Sequence, residues 1–292
     1  MNAKNLKYYT FMFLAPALIS IFVFFFLPVI ASFLISFTDF DIYSLNHPER
    51  IRFTGFQNYS KLLNDPLFWK ALGNTFLYVI VASPLSILIS LIAAISLNSK
   101  LVKFKSVFRL TFFMPVVTTL VAVAIVWRFI YHPRFGILNY ALGLAGIEPL
   151  DWLGDPHYAL PAIIIMTVWK NFGYNMIIFI AGLQNIPDYL YEAAILDGAN
   201  KFQQLRNITI PMLAPTTLFI SIITMIGFFQ IFAEPYVMTQ GGPLNSTLSI
   251  VLYMYREGFR WWNMGYSAAI AFVLFLIILV FTLIQFNIKR VT

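Results

Sequence analysis

Residues 9–37 read YTFMFLAPALISIFVFFFLPVIASFLISF, a stretch without one charged side chain. About 20 apolar residues in a helix cross the hydrocarbon core of a bilayer, so this stretch is long enough to span. A secretory signal has an apolar core of only about 7–15 residues, followed by a small-residue cleavage site. Lys4 and Lys7 do precede the stretch, but it runs on through Phe37 and no such site follows. It is expected to stay in the mature chain as a spanning helix, bent near Pro28, where the ring removes a backbone hydrogen bond.

The pattern repeats through the 292 residues. No charge lies between Lys70 and Lys100, between Arg109 and Arg128, between Arg206 and Glu234, or between Arg260 and Lys289. Another apolar stretch, Tyr158 to Leu183, is interrupted only by Lys170. The fold class is an all-α membrane protein with six transmembrane helices, expected near 9–37, 71–97, 107–131, 158–183, 212–234 and 265–288. Composition agrees: 60% of residues are apolar, 18% aromatic and only 11% charged. A soluble domain carries about 25% charged residues, so a soluble enzyme, a disordered tail and a nucleic-acid-binding domain are poor readings despite a net charge of +7. With no Cys and three scattered His, no disulfide, thiolate chemistry or metal site is expected.

Orientation follows from Lys and Arg, which are retained on the cytoplasmic side. With the N-terminus inside, the cytoplasmic segments hold ten Lys and Arg against three carboxylates, and the outer segments eight against nine. The stronger sign is the 98–110 loop, which has Lys100, Lys103, Lys105 and Arg109 and no acid. Both termini are therefore expected in the cytoplasm. The outer loops at 38–70, 132–157 and 235–264 are too short for separate domains. Residues 1–292 read as a single transmembrane domain without a recognisable internal repeat.

The most informative cytoplasmic segment is 184–211, between the fourth and fifth spans. It reads as two short helices. Asn185 caps the first, with Asp188 three residues on and Pro187 in the first turn. Gly198 supplies the left-handed position that ends it. The second starts near Ala199, with Phe202, Leu205 and Ile208 on one face and Pro211 at the entry to the next span. Leu190, Ala193, Ala194 and Asp197 share a face of the first helix, with Glu192 beside it. Small residues on that face suit docking in a groove on a partner; packing against the chain's own body is the equal alternative.

Glu192-Ala193-Ala194, then Gly198, then Ile208-Thr209-Ile210-Pro211 resembles the E-A-A-x3-G-x9-I-x-L-P loop of ABC-importer permeases, with Ile210 in place of the Leu. The E-A-A-x-x-D-G-A form, with Asp197 and a following Phe202, is similar to the carbohydrate-import branch. Further likenesses are F-T-G-F-Q-N-Y at 53–59, Asp65-Pro66, Asn74-Thr75, Gly146-Ile147, Trp152, Asp155-Pro156 and T-Q-G-G-P at 239–243. The resemblance implies a type I ABC-importer permease architecture, of the subunit type found in maltose- and glycerol-phosphate-type importers. It also implies that 184–211 is the coupling loop for a cytoplasmic ATPase, through Glu192, Ala193, Ala194, Asp197, Gly198, Ile208 and Pro211. The extra N-terminal helices and large periplasmic insert of the maltose subunit are missing from this sequence.

Polar residues inside a membrane are costly and face a cavity or a neighbour. Thr167, Lys170, Asn171 and Tyr174 fall at i, i+3, i+4 and i+7 of the fourth span, one polar stripe near mid-membrane. In the fifth, Thr224, Phe228 and Ile231 share a face, with Gln230 and Glu234 nearby. Aligned by resemblance, positions 167, 170, 171 and 174, and 224, 228 and 231, match substrate-facing positions of the maltose subunit, although the chemistry is kept only in part. Taken as a set, Thr167, Lys170, Asn171, Tyr174, Thr224, Phe228 and Gln230 are the substrate-pathway candidates. Helix-to-helix packing is the plainer reading for any one of them. Lys170 needs a partner or a wet cavity; it either receives an anionic substrate or pairs with Glu234 or a carboxylate of a neighbouring subunit. Thr118 and Thr119, after Pro115, are weaker candidates.

No G-x4-G-K-[ST], H-E-x-x-H or G-x-S-x-G occurs. The chain itself is therefore not an enzyme and carries no cofactor. The resemblance places ATP and Mg on ATPase partners and implies a sugar-importing permease of the cytoplasmic membrane. The implied partners are a second homologous permease, two cytoplasmic ATPases, an external binding protein, the sugar and membrane lipid, with no nucleic acid. The rival is a stand-alone secondary transporter or channel in which 184–211 is purely structural; a membrane-anchored assembly factor would need no polar stripe.

Overall fold

A computed structural model describes residues 3–99 and 102–288. Lys100, Lys289 and Arg290, counted above among the cytoplasmic charges, lie outside the described residues. In chain order the helices are α1 (Ala3–Ile21), α2 (Leu27–Ile35), α3 (Gln57–Leu63), α4 (Pro66–Asn98), α5 (Lys105–Val117) and α6 (Leu120–Ile130). They continue as α7 (Ile137–Leu144), α8 (Pro156–Gln184), α9 (Asp188–Leu196), α10 (Lys201–Gln204), α11 (Ile210–Met212) and α12 (Ala214–Phe229). The last are α13 (Ala233–Met238), α14 (Ile250–Tyr255) and α15 (Met264–Ile288). Among the described residues the one extended pairing is an isolated antiparallel bridge from Thr38 to Phe53.

Four stretches are long and apolar enough to cross a membrane unbroken: Phe11–Ile35, Pro66–Asn98, Pro156–Gln184 and Met264–Asn287. Two further crossings pass that test only as bent pairs. The third expected span, 107–131, is broken between α5 and α6 by 98°. Thr118 takes an extended ψ of 139°, and its N–H and hydroxyl both return to Met114 O. The fifth expected span begins within the 184–211 loop, turns by 62° at Leu213, and α12 ends at Phe229 rather than 234. Near Pro28 the first stretch accommodates the ring with a π turn at Phe22–Phe26, and it counts as one span. A proline's missing donor is readily absorbed by such a widened turn.

The described chain falls into two compact units. In residues 3–66 with 253–276, the F-T-G-F-Q-N-Y segment closes the loop that follows α2. Gly55 turns the chain at φ +58°, and Thr54 N–H donates to Phe37 O at 2.8 Å. Asn58 Nδ2 donates to both Ser36 O and Thr38 O, at 2.9 and 2.8 Å. Phe37 packs among Phe53, Phe56 and Tyr59. Gly265 meets the same loop: its N–H donates to Phe40 O at 2.9 Å, and a β-carbon there would lie 2.2 Å from Thr38 O. Asp65, of the Asp-Pro pair, accepts hydrogen bonds from the hydroxyls of Tyr253 and Tyr266.

Residues 67–252 with 277–288 form the second unit. Its axis is α8, whose apolar window is 61% buried, against 33% for α4. Asp155 caps it, accepting His157 N–H at 2.7 Å; that bond holds the carboxyl below its usual range. Met176, Phe179, Ile180 and Leu183 of α8 meet Ala94 and Leu97 of α4 and Ile220 of α12 in an apolar cluster. Outside, Asn139 of α7 is buried and organises the loop between α6 and α8. Its Nδ2 donates to Pro133 O and Leu150 O, while its Oδ1 accepts from Leu150 N–H and Trp152 Nε1.

Candidate functional site: the 184–211 loop and the interior around residues 156–184

The loop forms two helices, with boundaries that differ from the sequence reading. Asn185 is the C-cap of α8, and α9 starts at Asp188 behind Pro187, which has no side chain able to cap. Pro187 takes an extended ψ of 133°, and its ring is preset for that entry. The true capping box lies at the second helix, where Asn200 and Gln203 bond each other's backbone at 2.9 and 2.8 Å. Between the helices Gly198 sits at φ +79°, as expected. Gly198 N–H donates to Ile195 O and Ala199 N–H to Ala194 O, a Schellman end that an L side chain would strain.

The exposed faces of the loop are also not the ones periodicity suggested. Leu190 packs on the apolar cluster with Tyr191 and Ile208, and Ala194 is half-buried. Tyr191 hydroxyl bonds Thr209 Oγ1 at 3.0 Å, tying α9 to the chain leading into α12. The outward face of α9 is Tyr189, Glu192, Ala193 and Leu196, at i, i+3, i+4 and i+7. Leu196 is 88% exposed, and Phe202, read as sharing a face with Leu205 and Ile208, is 68% exposed while those two are half-buried. Gln204 and Thr209 are buried in its place. Asp197 and Gly198 are exposed at the turn, and Pro211 is exposed where α11 leads to α12. Fold-independent periodicity could not choose between two faces one residue apart; only packing decides.

Within the fourth span, α8 carries Thr167, Lys170, Asn171 and Tyr174 on one unbroken helix. Thr167 and Lys170 are buried, Asn171 is half-buried and Tyr174 is 48% exposed. Lys170 Nζ donates to Val116 O at 3.3 Å, and Asn171 Nδ2 donates to Thr167 O at 3.0 Å. Glu234 lies within electrostatic reach of Lys170, without a direct ion pair among the described residues. In α12, Phe228 is buried against Tyr78, whereas Gln230 is exposed at the helix end. Thr224 is buried and its Oγ1 accepts from Asn175 Nδ2 at 3.0 Å. That Asn175 amide also reaches Ser86 Oγ at 3.4 Å, and Ser90 Oγ donates to Phe172 O at 2.8 Å.

Asn175, Ser86 and Ser90 were not singled out from the sequence. They join α4, α8 and α12 by polar contacts, as side-chain amides and hydroxyls do between helices in lipid. Asn175 lies eight residues beyond Thr167, so a longer view of the helical period would have found it. Close approach accompanies these bonds: Gly173 faces the α5 backbone, where a β-carbon would come within 2.0 Å of Phe112 O.

A helical membrane chain with a buried polar seam and an exposed helix pair at one end is built as a permease subunit. Comparison with known proteins agrees. Residues 86–291 match the family described as "Binding-protein-dependent transport system inner membrane component", and the chain belongs to that family. It is similar to the arabinooligosaccharides transport system permease protein AraP of Bacillus subtilis (strain 168), with 38% identity over 281 residues covering 96% of this chain and 88% of the relative. It is similar to the lactose transport system permease protein LacF of Rhizobium radiobacter, with 38% identity covering 96% and 93%. It is also similar to the trehalose/maltose transport system permease protein MalF of Thermococcus litoralis, with 33% identity covering 96% and 93%. Among solved structures, a bacterial ABC transporter involved in the import of the acidic polysaccharide alginate superposes with a TM-score of 0.82, covering 98% of this chain and 97% of that one at 22% identity. The chain is a multi-pass component of the cytoplasmic membrane that serves transport, and not an enzyme.

Proposed function

We propose that this chain is one of two homologous permease subunits of an ATP-driven importer that carries a sugar across the cytoplasmic membrane. The bent pairs count as one crossing each, giving six spans with both termini in the cytoplasm and the 184–211 loop on the same side. Two cytoplasmic ATPases bind ATP and Mg, and one of them docks on α9 and α10. Glu192, Ala193, Asp197 and Gly198, with Tyr189, Leu196 and Phe202, form the contact; Ala194 and Ile208 hold it to the body, and Pro211 stands exposed at the entry to the next span. An external binding protein delivers the sugar to the outer loops. The polar seam of α8 and α12 lies along the pathway, with Asn171 and Tyr174 offering an amide and an aromatic ring. ATP closes the ATPases, which moves the loop and turns the pathway outward; hydrolysis resets it.

The observation that carries this reading is the exposure of Leu196 and Phe202 on an otherwise well-built, capped helix pair. Large apolar side chains held out on a rigid cytoplasmic loop suit a protein groove. Support for a sugar comes from the relatives, which are named for arabinooligosaccharides, lactose and trehalose/maltose. The test is co-purification of the chain with its cognate second permease and ATPase, wild type against Gly198→Pro. Proline cannot adopt φ +79° and removes the Gly198 donor. The ATPase is expected to be lost from the variant while the two permeases stay together. An ATPase that never associates, or that binds the variant equally well, refutes the docking role of the loop.

A further inference from the structure

The contacts of α5 with α8 run in a clear register. Gly173 lies against Phe112, and one turn on, Lys170 lies against Val116, so the two helices pass in opposite directions. Val116 is next to the last residue of α5, whose final carbonyls lose their helical partners where Thr118 and Thr119 turn the span. A helix C-terminus carries partial negative charge, and an ammonium group is favoured beside it. Lys170 is 7% exposed and delivers its Nζ there, with the Glu234 carboxylate in electrostatic reach from α13. The cation of the stripe thus has its hydrogen-bond partner inside the chain, the Val116 carbonyl, with a carboxylate in reach but not in direct contact. The stripe groups that reach the surface are Tyr174 and, half-buried with its Nδ2 on Thr167 O, Asn171, a phenol and an amide, both uncharged hydrogen-bonding groups.

We infer that the cargo is an uncharged sugar, and that Lys170 is a positioning residue holding the end of the broken third span rather than a receptor for a carboxylate or phosphate on the substrate. This rests on the sugar-permease reading and on the stripe facing the pathway. It gives the single midplane cation a use that needs no ligand. An anionic sugar would have to draw Lys170 away from Val116 and Glu234, leaving the α5 end uncapped in a low-dielectric interior, where an unpaired polar group is costly.

The test uses the whole transporter, with cognate permease, ATPase and binding protein, in proteoliposomes given two panels of labelled probes. One panel holds neutral di- to tetrasaccharides, the other oligouronates of the same lengths. Uptake is expected only from the neutral panel. Lys170→Met is expected to lower that uptake about tenfold through loss of a charged hydrogen bond, with no uronate uptake gained; Lys170→Arg, which keeps the cation, restores most of it. Uptake of a uronate by the wild type, abolished in Lys170→Met, overturns the inference and leaves the sugar reading standing. If both panels are refused by an assembled, ATP-hydrolysing complex, the sugar reading itself fails and takes the inference with it. Should Lys170→Met fail to assemble, the wild-type preference and the Lys170→Arg uptake decide the matter.

Discussion

Gly173→Ala tests how tightly the broken third span is held to the axis of the protein. A β-carbon built on Gly173 stands 2.0 Å from Phe112 O, 2.8 Å from Phe112 C and 3.2 Å from Phe113 Cα. All three are backbone atoms, so no side chain can swing aside. Ordinary contact begins at 3.4 Å, and restoring it moves α5 off α8 by about 1.4 Å, an overpacking shift of the kind that costs about 1–3 kcal/mol. The Lys170–Val116 bond, already 3.3 Å long and one turn away, does not survive that displacement. Its loss adds about 0.6–3 kcal/mol, the lower figure being the average for polar contacts between helices in lipid. A total of about 2–6 kcal/mol is expected. The control is Gly73→Ala, on an exposed face of α4 with nothing within 4 Å of the added carbon. There alanine is expected to gain about 0.5–1 kcal/mol of helix stability. Thermal melts of the purified complex, followed by tryptophan fluorescence, read both, and transport assays read the consequence. If the two variants melt alike, the α5–α8 contact is not the close approach described and the argument for Lys170 as its neighbour loses its footing.

Two further outcomes follow from the polar seams. Asn175→Leu removes the bonds to Thr224 and Ser86, and at about 0.6 kcal/mol each it is expected to cost about 1 kcal/mol in a detergent melt; a Thr224→Val, Asn175→Leu double variant no worse than either single one identifies the shared bond. Asn139→Ala deletes four hydrogen bonds in the outer loop between α6 and α8. With water able to replace some, about 2–4 kcal/mol of local stability is lost, and limited proteolysis is expected to cut between residues 131 and 156 well before the wild type is cut there.

How much of this was readable beforehand varies by element. Four spans follow directly from the gaps between charges, since α4, α8 and α15 are continuous apolar helices and 11–35 joins them. The other two apolar stretches were legible as such, but their bends were not. A break at Thr118-Thr119 needs only a change of ψ, and hydropathy is blind to direction once residues are apolar enough. Gly198 was legible because a left-handed helix end has almost one solution in residue type. Asn185 misled, because Asn-x-x-Asp satisfies the pattern of a cap without saying which helix it ends. The interior was half legible: Lys170 announced itself by charge and Asn175 lay within reach of the same period, whereas Ser86 and Ser90 resemble ordinary helix residues until α4 is laid beside α8.

The elbow at Leu213 gives the loop a mechanical character. The chain from Lys201 to Met212 is helical almost throughout, turns by 62°, and continues as α12 with no slack between. Leu213 itself is 1% exposed and belongs to the same apolar cluster as Leu183 and Ile186. A fulcrum seated that firmly separates an arm in the loop from the apolar arm of α12. Twelve residues of helix make a lever of about 18 Å, so each ångström of travel at its tip turns it by about 3°. On the proposed docking role, a push on the loop is expected to reach the interior as rotation about Leu213.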